Sequence, residues 1–195
     1  MIIHICGAVG SGKTTIGKEL SGRNNSPFRT IIVKDLDVLL NSFLKNHKFS
    51  VNNYQQFIYD YISKNKKKHI VFVGINQDMG RSKTLYDLES DKKIFINLDV
   101  KENVRRRFVR DYKNDVKYFF LWKYSGSEPT VEEIYDMWMK DEIQNTKRLQ
   151  VIIKEMSPSG LEKDTLRFHN QYKKLGYTFV KPEHIYDKVV KYVSV

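Results

Sequence analysis

Apolar positions in the first hundred residues alternate between two rhythms. Ile2–Cys6, Thr30–Val33, His69–Val73 and Lys93–Leu98 are short, nearly unbroken apolar runs, the pattern of strands buried on both faces. Between them, Lys13–Leu20 and the stretch opening at Leu36–Phe43 read as helices. Tyr54, Phe57, Ile58, Tyr61 and Ile62 recur at helical spacing, which makes them a core face rather than an aromatic binding stripe. Strands alternating with helices predict a parallel sheet with crossover helices.

The second half is less regular. A helical pattern resumes near Glu102, and Ser125-Gly126-Ser127-Glu128-Pro129 is a loop. Thr130 and Glu133 have the spacing of a capping box for a helix through Trp138. Ser157-Pro158-Ser159-Gly160 is expected to interrupt, and a helix over Leu161–Leu175 to end at Gly176. Tyr177–Val180 is a fifth strand. Pro182 then starts a last helix, with Ile185, Val189, Val190 and Val193 on one face. The expectation is one α/β domain over residues 1–195, three layers (α/β/α) around a five-stranded parallel sheet, with residues 111–150 as a helical lid or insertion.

Composition narrows this picture a little. At 41% hydrophobic residues the chain can build a core, which excludes wholesale disorder. The single cysteine, Cys6, excludes an intramolecular disulfide framework and fits a reducing, cytoplasmic setting. Its place in an apolar run makes it a packing residue. No apolar run approaches the roughly 18 residues of a membrane span, so no membrane partner is expected. Nor is a signal peptide, with the first motif beginning at Gly7. The net charge of +11 is compatible with nucleic acid. Much of the excess is lysine in runs such as Lys66-Lys67-Lys68, which usually face water, so nucleic acid is not the favoured partner. His4, His47, His69, His169 and His184 are scattered without zinc spacing.

The chemistry concentrates in Gly7-Ala8-Val9-Gly10-Ser11-Gly12-Lys13-Thr14, which fills every fixed position of G-x-x-x-x-G-K-[ST], the Walker A pattern or P-loop. The glycines let the backbone curl so that N–H groups point at phosphate oxygens, and the following helix adds positive charge at its N-terminus. Lys13 brings a full charge to the β- and γ-phosphates. Thr14 offers a hydroxyl to Mg²⁺, and Thr15 reaches toward the α-phosphate. The motif implies ATP or another nucleoside triphosphate, but does not separate kinases from other NTPases.

Two further features point to a kinase. Lys34-Asp35-Leu36-Asp37 follows the second strand directly, and ligands of parallel α/β sheets bind at the carboxyl ends of strands. Arg105, Arg106, Arg107 and Arg110 lie on the helix after the fourth strand. With these residues the chain resembles the nucleoside-monophosphate-kinase-like superfamily of small P-loop kinases, which includes adenylate, shikimate and gluconate kinases. The resemblance covers the loop, Asp35 and Asp37, the arginine helix and the terminal strand–helix pair. It implies that Arg106 and Arg110, four residues apart, reach over the triphosphate, with Arg105 and Arg107 as understudies. An Asp-x-Asp at this position looks like the shikimate-kinase type. That implies Asp35 on metal-bound water and Asp37 on the acceptor, or the reverse; either can instead cap the helix that follows. A hydroxyl acceptor needs a carboxylate to take its proton, whereas a phosphate acceptor is held by arginine.

The chain departs from the family after the third strand. Val73-Gly74-Ile75-Asn76 replaces the Asp-Gly-x-Pro-Arg-like segment of monophosphate kinases, and the three-glycine segment of shikimate kinase is reduced to Gly74. Arg81, on the same loop, is a candidate holder of an anionic acceptor. The sequence therefore implies an ATP-dependent, magnesium-assisted phosphotransferase acting on a small-molecule acceptor. The alternatives are a polynucleotide 5′-hydroxyl kinase, or a nucleotide-binding protein with little turnover.

Overall fold

The computed structural model describes residues 1–23, 30–75, 88–111, 130, 133, 135, 136 and 158–194. Two compact units make up the chain. One consists of Met1–Ala8, Gly12–Asn97 and Asn170–Val195, the other of Val9–Ser11 and Leu98–His169.

The first unit contains the sheet. Its strands are β1 (Ile2–Gly7), β2 (Ile31–Asp35), β3 (His69–Val73), β4 (Lys92–Ile96) and β5 (Thr178–Val180). They lie in the order β2-β3-β1-β4-β5, and every pairing is parallel. Successive side chains of a strand point to opposite faces, and both faces here are covered. On one face Ile3, Ile5, Val71, Val73, Ile94 and Ile96 pack with Ile16 and Leu20 of α1 (Lys13–Ser21). Ile185 and Val189 of the last helix complete that cluster, with Val190 and Val193 packed beside it as their shared face predicted. On the other face Ile70 and Phe72 meet α2 (Leu36–Leu44) and α3 (Val51–Lys64) through Leu36, Leu39, Phe43, Tyr54 and Ile58. The aromatic stripe of α3 is thus a core face, as its spacing implied. Phe95 extends the same side against Tyr172 and Phe179. The result is the expected three-layer α/β arrangement.

Cys6 is fully buried in β1, and burial pushes its thiol up to about 11, against smaller lowering contributions from Lys13, Tyr172 and the Gly7 carbonyl. His4, two residues earlier, is also fully buried. Its Nε2 faces the Gly74 carbonyl at 3.0 Å and its Nδ1 the Tyr177 hydroxyl. Both residues are interior packing groups of the sheet.

The second unit contains α4 (Val100–Asp111) and most of α5 (Pro158–Lys174). Thr130 and Glu133 form the predicted reciprocal cap: Thr130 N–H and its hydroxyl both donate to Glu133 Oε2, and Glu133 N–H donates to Thr130 Oγ1. The two bonds that its carboxylate accepts from Thr130 lower the Glu133 pKa. Most of the expected lid, 111–150, lies outside the described residues.

Several element bounds differ from the expectation. The helix expected from Leu161 begins three residues earlier, at Pro158, where a missing N–H costs a helix nothing; Ser157 lies outside the described residues. Gly176 does stand at the end of that helix, at φ +77°. Tyr177 is not part of β5, because its N–H turns back to the Tyr172 carbonyl. The last helix opens with a 3-10 turn, Pro182–His184, and becomes α6 at Ile185–Val193. The second strand runs on to Asp35, paired with Val73, so Lys34 and Asp35 belong to β2 rather than to a segment after it. The fourth strand starts one residue earlier than expected, at Lys92, and stops at Ile96, where Asn97 N–H donates to Val180.

Candidate functional site

A parallel sheet brings all its carboxyl ends to one edge. Gly7 is the last residue of β1 and Asp35 the last of β2, so the start of the phosphate loop and the acidic pair share that edge. Lys13 opens α1, as a strand–loop–helix phosphate site requires. Its ammonium, part-buried, donates to the Gly7 carbonyl at 3.0 Å and the Ala8 carbonyl at 2.8 Å. Thr14 and Thr15 are exposed in the first turn of α1.

Asp35 does two things at once. It ends β2, and its Oδ1 accepts the Asp37 N–H at 2.8 Å, capping α2. The capping role considered for the pair therefore falls to Asp35, which leaves its second oxygen for other partners. Asp37 is exposed, in the first turn of α2. Beneath it, the buried Tyr54 hydroxyl donates to the Leu36 carbonyl at 3.3 Å. Burial pushes that hydroxyl well above the ordinary tyrosine range, and the charges of Asp37 and Asp35 push it further. A neutral donor thus underlies the two carboxylates.

Gly74 sets how closely β3 approaches α2. It adopts φ +141°, and a Cβ there would stand 3.0 Å from Leu36 Cβ and 3.4 Å from Leu36 N. Only a residue without a side chain accepts both that conformation and that contact. His4 meets the Gly74 carbonyl from the interior, so His4, Gly74, Leu36 and Tyr54 form a continuous support under Asp35 and Asp37.

Within the second unit, Val9–Ser11 meets α4. Asn103, buried, donates from Nδ2 to the Val9 carbonyl at 2.9 Å. Gly10 adopts φ +81°, and a Cβ on it would stand 2.8 Å from Arg107 Cγ. The Arg107 head is tied to Asp164 by a 2.9 Å ion pair, so its stem has little room to withdraw. Ser11 is buried, and its Oγ finds no hydrogen-bond partner among the described residues.

The arginines expected to lead occupy a different face of α4. Val104 and Phe108 are buried, whereas Arg105, Arg106 and Arg110 are exposed. Arg106 pairs with Glu102 at 2.7 Å on the helix surface. The arginine beside the loop is Arg107, one of the two understudies. A signal for this was available: the apolar pair Val104 and Phe108 marks the inward face, and Asn103 and Arg107 border it at the same four-residue spacing. Asn103, Tyr54 and the supporting role of His4 had no motif to mark them. Arg81 lies outside the described residues.

Among the described residues no group of three or more His, Cys, Asp or Glu side chains could hold a metal ion, and no helix is long and apolar enough to cross a membrane. The donors present are a threonine hydroxyl and two carboxylates. They suit Mg²⁺, which keeps several waters and takes phosphate oxygens as ligands.

No family model matches the chain, and no curated protein matches it. In structure it is similar to thymidylate kinase from Ehrlichia chaffeensis, at 15% identity and a TM-score of 0.33, over 73% of this chain and 98% of that one. It is also similar to shikimate kinase from Bacteroides thetaiotaomicron, at 14% identity and a TM-score of 0.33, over 89% of this chain and 98% of that one. At those scores neither likeness carries an argument about residues or chemistry.

Proposed function

We propose that this chain is a phosphotransferase that moves the γ-phosphoryl group of ATP, or of another nucleoside triphosphate, to a hydroxyl of a small molecule with the help of Mg²⁺. One observation carries the reading. Gly7, where the Walker A loop begins, and Asp35 end strands β1 and β2 at the same carboxyl edge of a parallel sheet, with only β3 between them, and Lys13 and Asp37 follow on α1 and α2. Strands lie about 4.8 Å apart, so the two strand ends stand roughly 10 Å apart. A terminal phosphoryl group and its acceptor fill such a gap.

The roles follow from the chemistry of each group. Lys13 exchanges the Gly7 and Ala8 carbonyls for β- and γ-phosphate oxygens when a triphosphate enters. Backbone N–H groups of Gly7–Thr14 surround the phosphates, with Thr15 toward the α-phosphate. Asp37, exposed in the first turn of α2, orients the acceptor hydroxyl and takes its proton. Asp35, with one oxygen in the cap, uses the other on metal-bound water together with the Thr14 hydroxyl. Mg²⁺, when bound, neutralises phosphate charge. Arg106 and Arg110 are assigned, on resemblance, to countering phosphate charge, and Arg81 to an anionic portion of the acceptor.

A hydroxyl acceptor is preferred over a phosphate because a hydroxyl must lose a proton, which a carboxylate beside it takes, whereas a phosphate acceptor is already anionic and is held by arginine. The test is a transfer screen with γ-labelled ATP against nucleosides, nucleoside monophosphates, sugars, shikimate and 5′-hydroxyl oligonucleotides. Label on a small hydroxyl compound is expected. Label only on monophosphates would refute the hydroxyl assignment, label only on oligonucleotides would make the chain a polynucleotide kinase, and ATP binding without any transfer would leave a nucleotide-binding protein.

A further inference from the structure

The second unit holds a polar chain that no motif announced. Asn103 is buried on α4, with its amide between two partners. On one side Nδ2 donates to the Val9 carbonyl at 2.9 Å; on the other Oδ1 lies 2.8 Å from the Thr165 hydroxyl of α5. The orientation of this amide follows from chemistry alone. A carbonyl can only accept, so the NH₂ group must face Val9 and the oxygen must face Thr165. Thr165, fully buried, has one proton to give and two acceptors in reach, Asn103 Oδ1 and the Leu161 carbonyl at 2.9 Å. Among the described residues the Asn103 oxygen has no other donor, so a proton given to Leu161 instead would leave it unsatisfied.

The consequence for the loop comes from peptide geometry. The Val9 C=O and the Gly10 N–H belong to one planar trans unit and point in opposite directions. Pulling the carbonyl toward α4 therefore aims the Gly10 N–H away from α4. Gly10 stands at φ +81° against the Arg107 stem, which fills the space where a Cβ would stand and is anchored by Asp164. Ser11 follows, with its hydroxyl buried and unpartnered among the described residues.

We infer that Asn103 is a positioning residue of the phosphate loop: by holding the Val9 carbonyl, with Thr165 fixing its amide, it presets the direction of the Gly10 N–H for an anionic oxygen of the triphosphate. This rests on the reading of Gly7–Thr14 as a nucleotide site. It places part of the loop's preorganisation on α4 and α5, far from the motif in sequence. Asn103 touches no reacting atom; its effect is on how well the loop binds, through the Val9–Gly10 peptide.

The experiment compares wild type with Asn103→Asp, Asn103→Leu, Thr165→Val and Thr165→Ser, using the magnesium complex of a non-hydrolysable ATP analogue as the probe. Titration calorimetry reads affinity, and ¹⁵N spectra read the Gly10 amide. Thermal melts show whether each variant is folded. Asn103→Asp has no proton for the Val9 carbonyl, and Asn103→Leu has none either. Both should bind the analogue roughly tenfold more weakly, about the worth of one hydrogen bond, and should move the Gly10 resonance without the analogue present. Thr165→Val should show the same two changes in smaller measure, and Thr165→Ser, which keeps the hydroxyl, should restore wild-type binding. Should a transfer assay exist by then, KM for ATP should rise more than kcat falls. Folded Asn103 variants with an unmoved Gly10 amide and wild-type affinity would overturn the inference. A folded wild-type protein that binds no triphosphate would overturn the nucleotide reading itself, a distinct result, and the inference with it.

Discussion

The donor side and the acceptor side of the proposed site are built in opposite ways. The donor side is one contiguous stretch, Gly7–Thr14, laid down by strand, turn and helix in immediate succession, with only its Val9–Gly10 peptide held from elsewhere, by Asn103. The acceptor side is assembled from pieces distant in sequence: Asp35 and Asp37 at the start of α2, Tyr54 on α3, Gly74 after β3, and His4 inside β1. The contrast teaches where robustness lies. A contiguous loop is defined by local backbone rules, and damage to it should act on binding and chemistry rather than on folding. A composite site depends on packing, so a change one residue removed from the carboxylates should disturb both stability and acceptor geometry.

The largest expected effect tests the donor side. Lys13→Ala removes the ammonium of the loop and should bring phosphoryl transfer down to background, while circular dichroism and melting temperature stay near wild type. Appreciable transfer by a folded Lys13→Ala protein would remove the phosphate role given to the motif.

Next comes the charge on the acceptor side. Asp37→Asn preserves size and hydrogen-bonding reach but abolishes the base. On the acceptor found by the screen, kcat should fall by roughly 10²–10⁴-fold, the usual worth of positioned acid–base catalysis, with ATP affinity hardly changed. Asp35→Asn should be milder, since an amide oxygen can still cap α2. If both changes cost less than about tenfold, below that range, the hydroxyl acceptor loses its support.

The packing beneath the carboxylates should respond more modestly. Gly74→Ala forces a Cβ against Leu36 at a backbone angle that alanine resists, so unfolding in urea should show a loss of about 1–3 kcal/mol. The KM for the acceptor should rise as Leu36 shifts beside Asp37. Tyr54→Phe deletes the hydroxyl bond to the Leu36 carbonyl and should cost about 1 kcal/mol. A Gly74→Ala protein as stable as wild type, with unchanged acceptor KM, would show that the acceptor side is not built on that contact.

The smallest effect belongs to Cys6, buried in β1 just before the loop begins. With its thiol pushed up to about 11, only about one part in a thousand is thiolate at pH 8. Iodoacetamide should barely label the native protein at that pH and should label it readily in urea, where the thiol regains its ordinary acidity. The same shift has a stability consequence. The folded state holds the proton more tightly than the unfolded state, so stability should decline as pH rises from about 9 toward 11, and Cys6→Ala should flatten that decline. Fast labelling of native protein at pH 8 would show Cys6 to be accessible.

Much of the architecture could be read from the chain because its signals are local. Unbroken apolar runs marked five parallel strands, a filled glycine–lysine pattern marked the phosphate loop, and carboxylates at the end of the second strand marked the proposed acceptor side. Thr130 and Glu133 cap each other because three residues separate them, whatever else the chain does. These features depend on neighbours in sequence, and sequence suffices for them.

Other decisions needed the chain to meet itself. The spacing put Arg106 and Arg110 ahead of Arg105 and Arg107, but packing buried Val104 and Phe108, turned Arg107 inward and left Arg106 and Arg110 exposed. Pro158 looked like a break because its ring cannot continue a helix, yet it starts one, where no N–H is required. Gly74 gave no sign that it touches Leu36, nor Asn103 that it holds Val9, because those partners are dozens of residues away. Backbone preference and side-chain period act over a few residues and are written in order along the chain. Which buried polar atom finds which partner is decided only when burial makes an unpaired one costly, and that happens in the folded state.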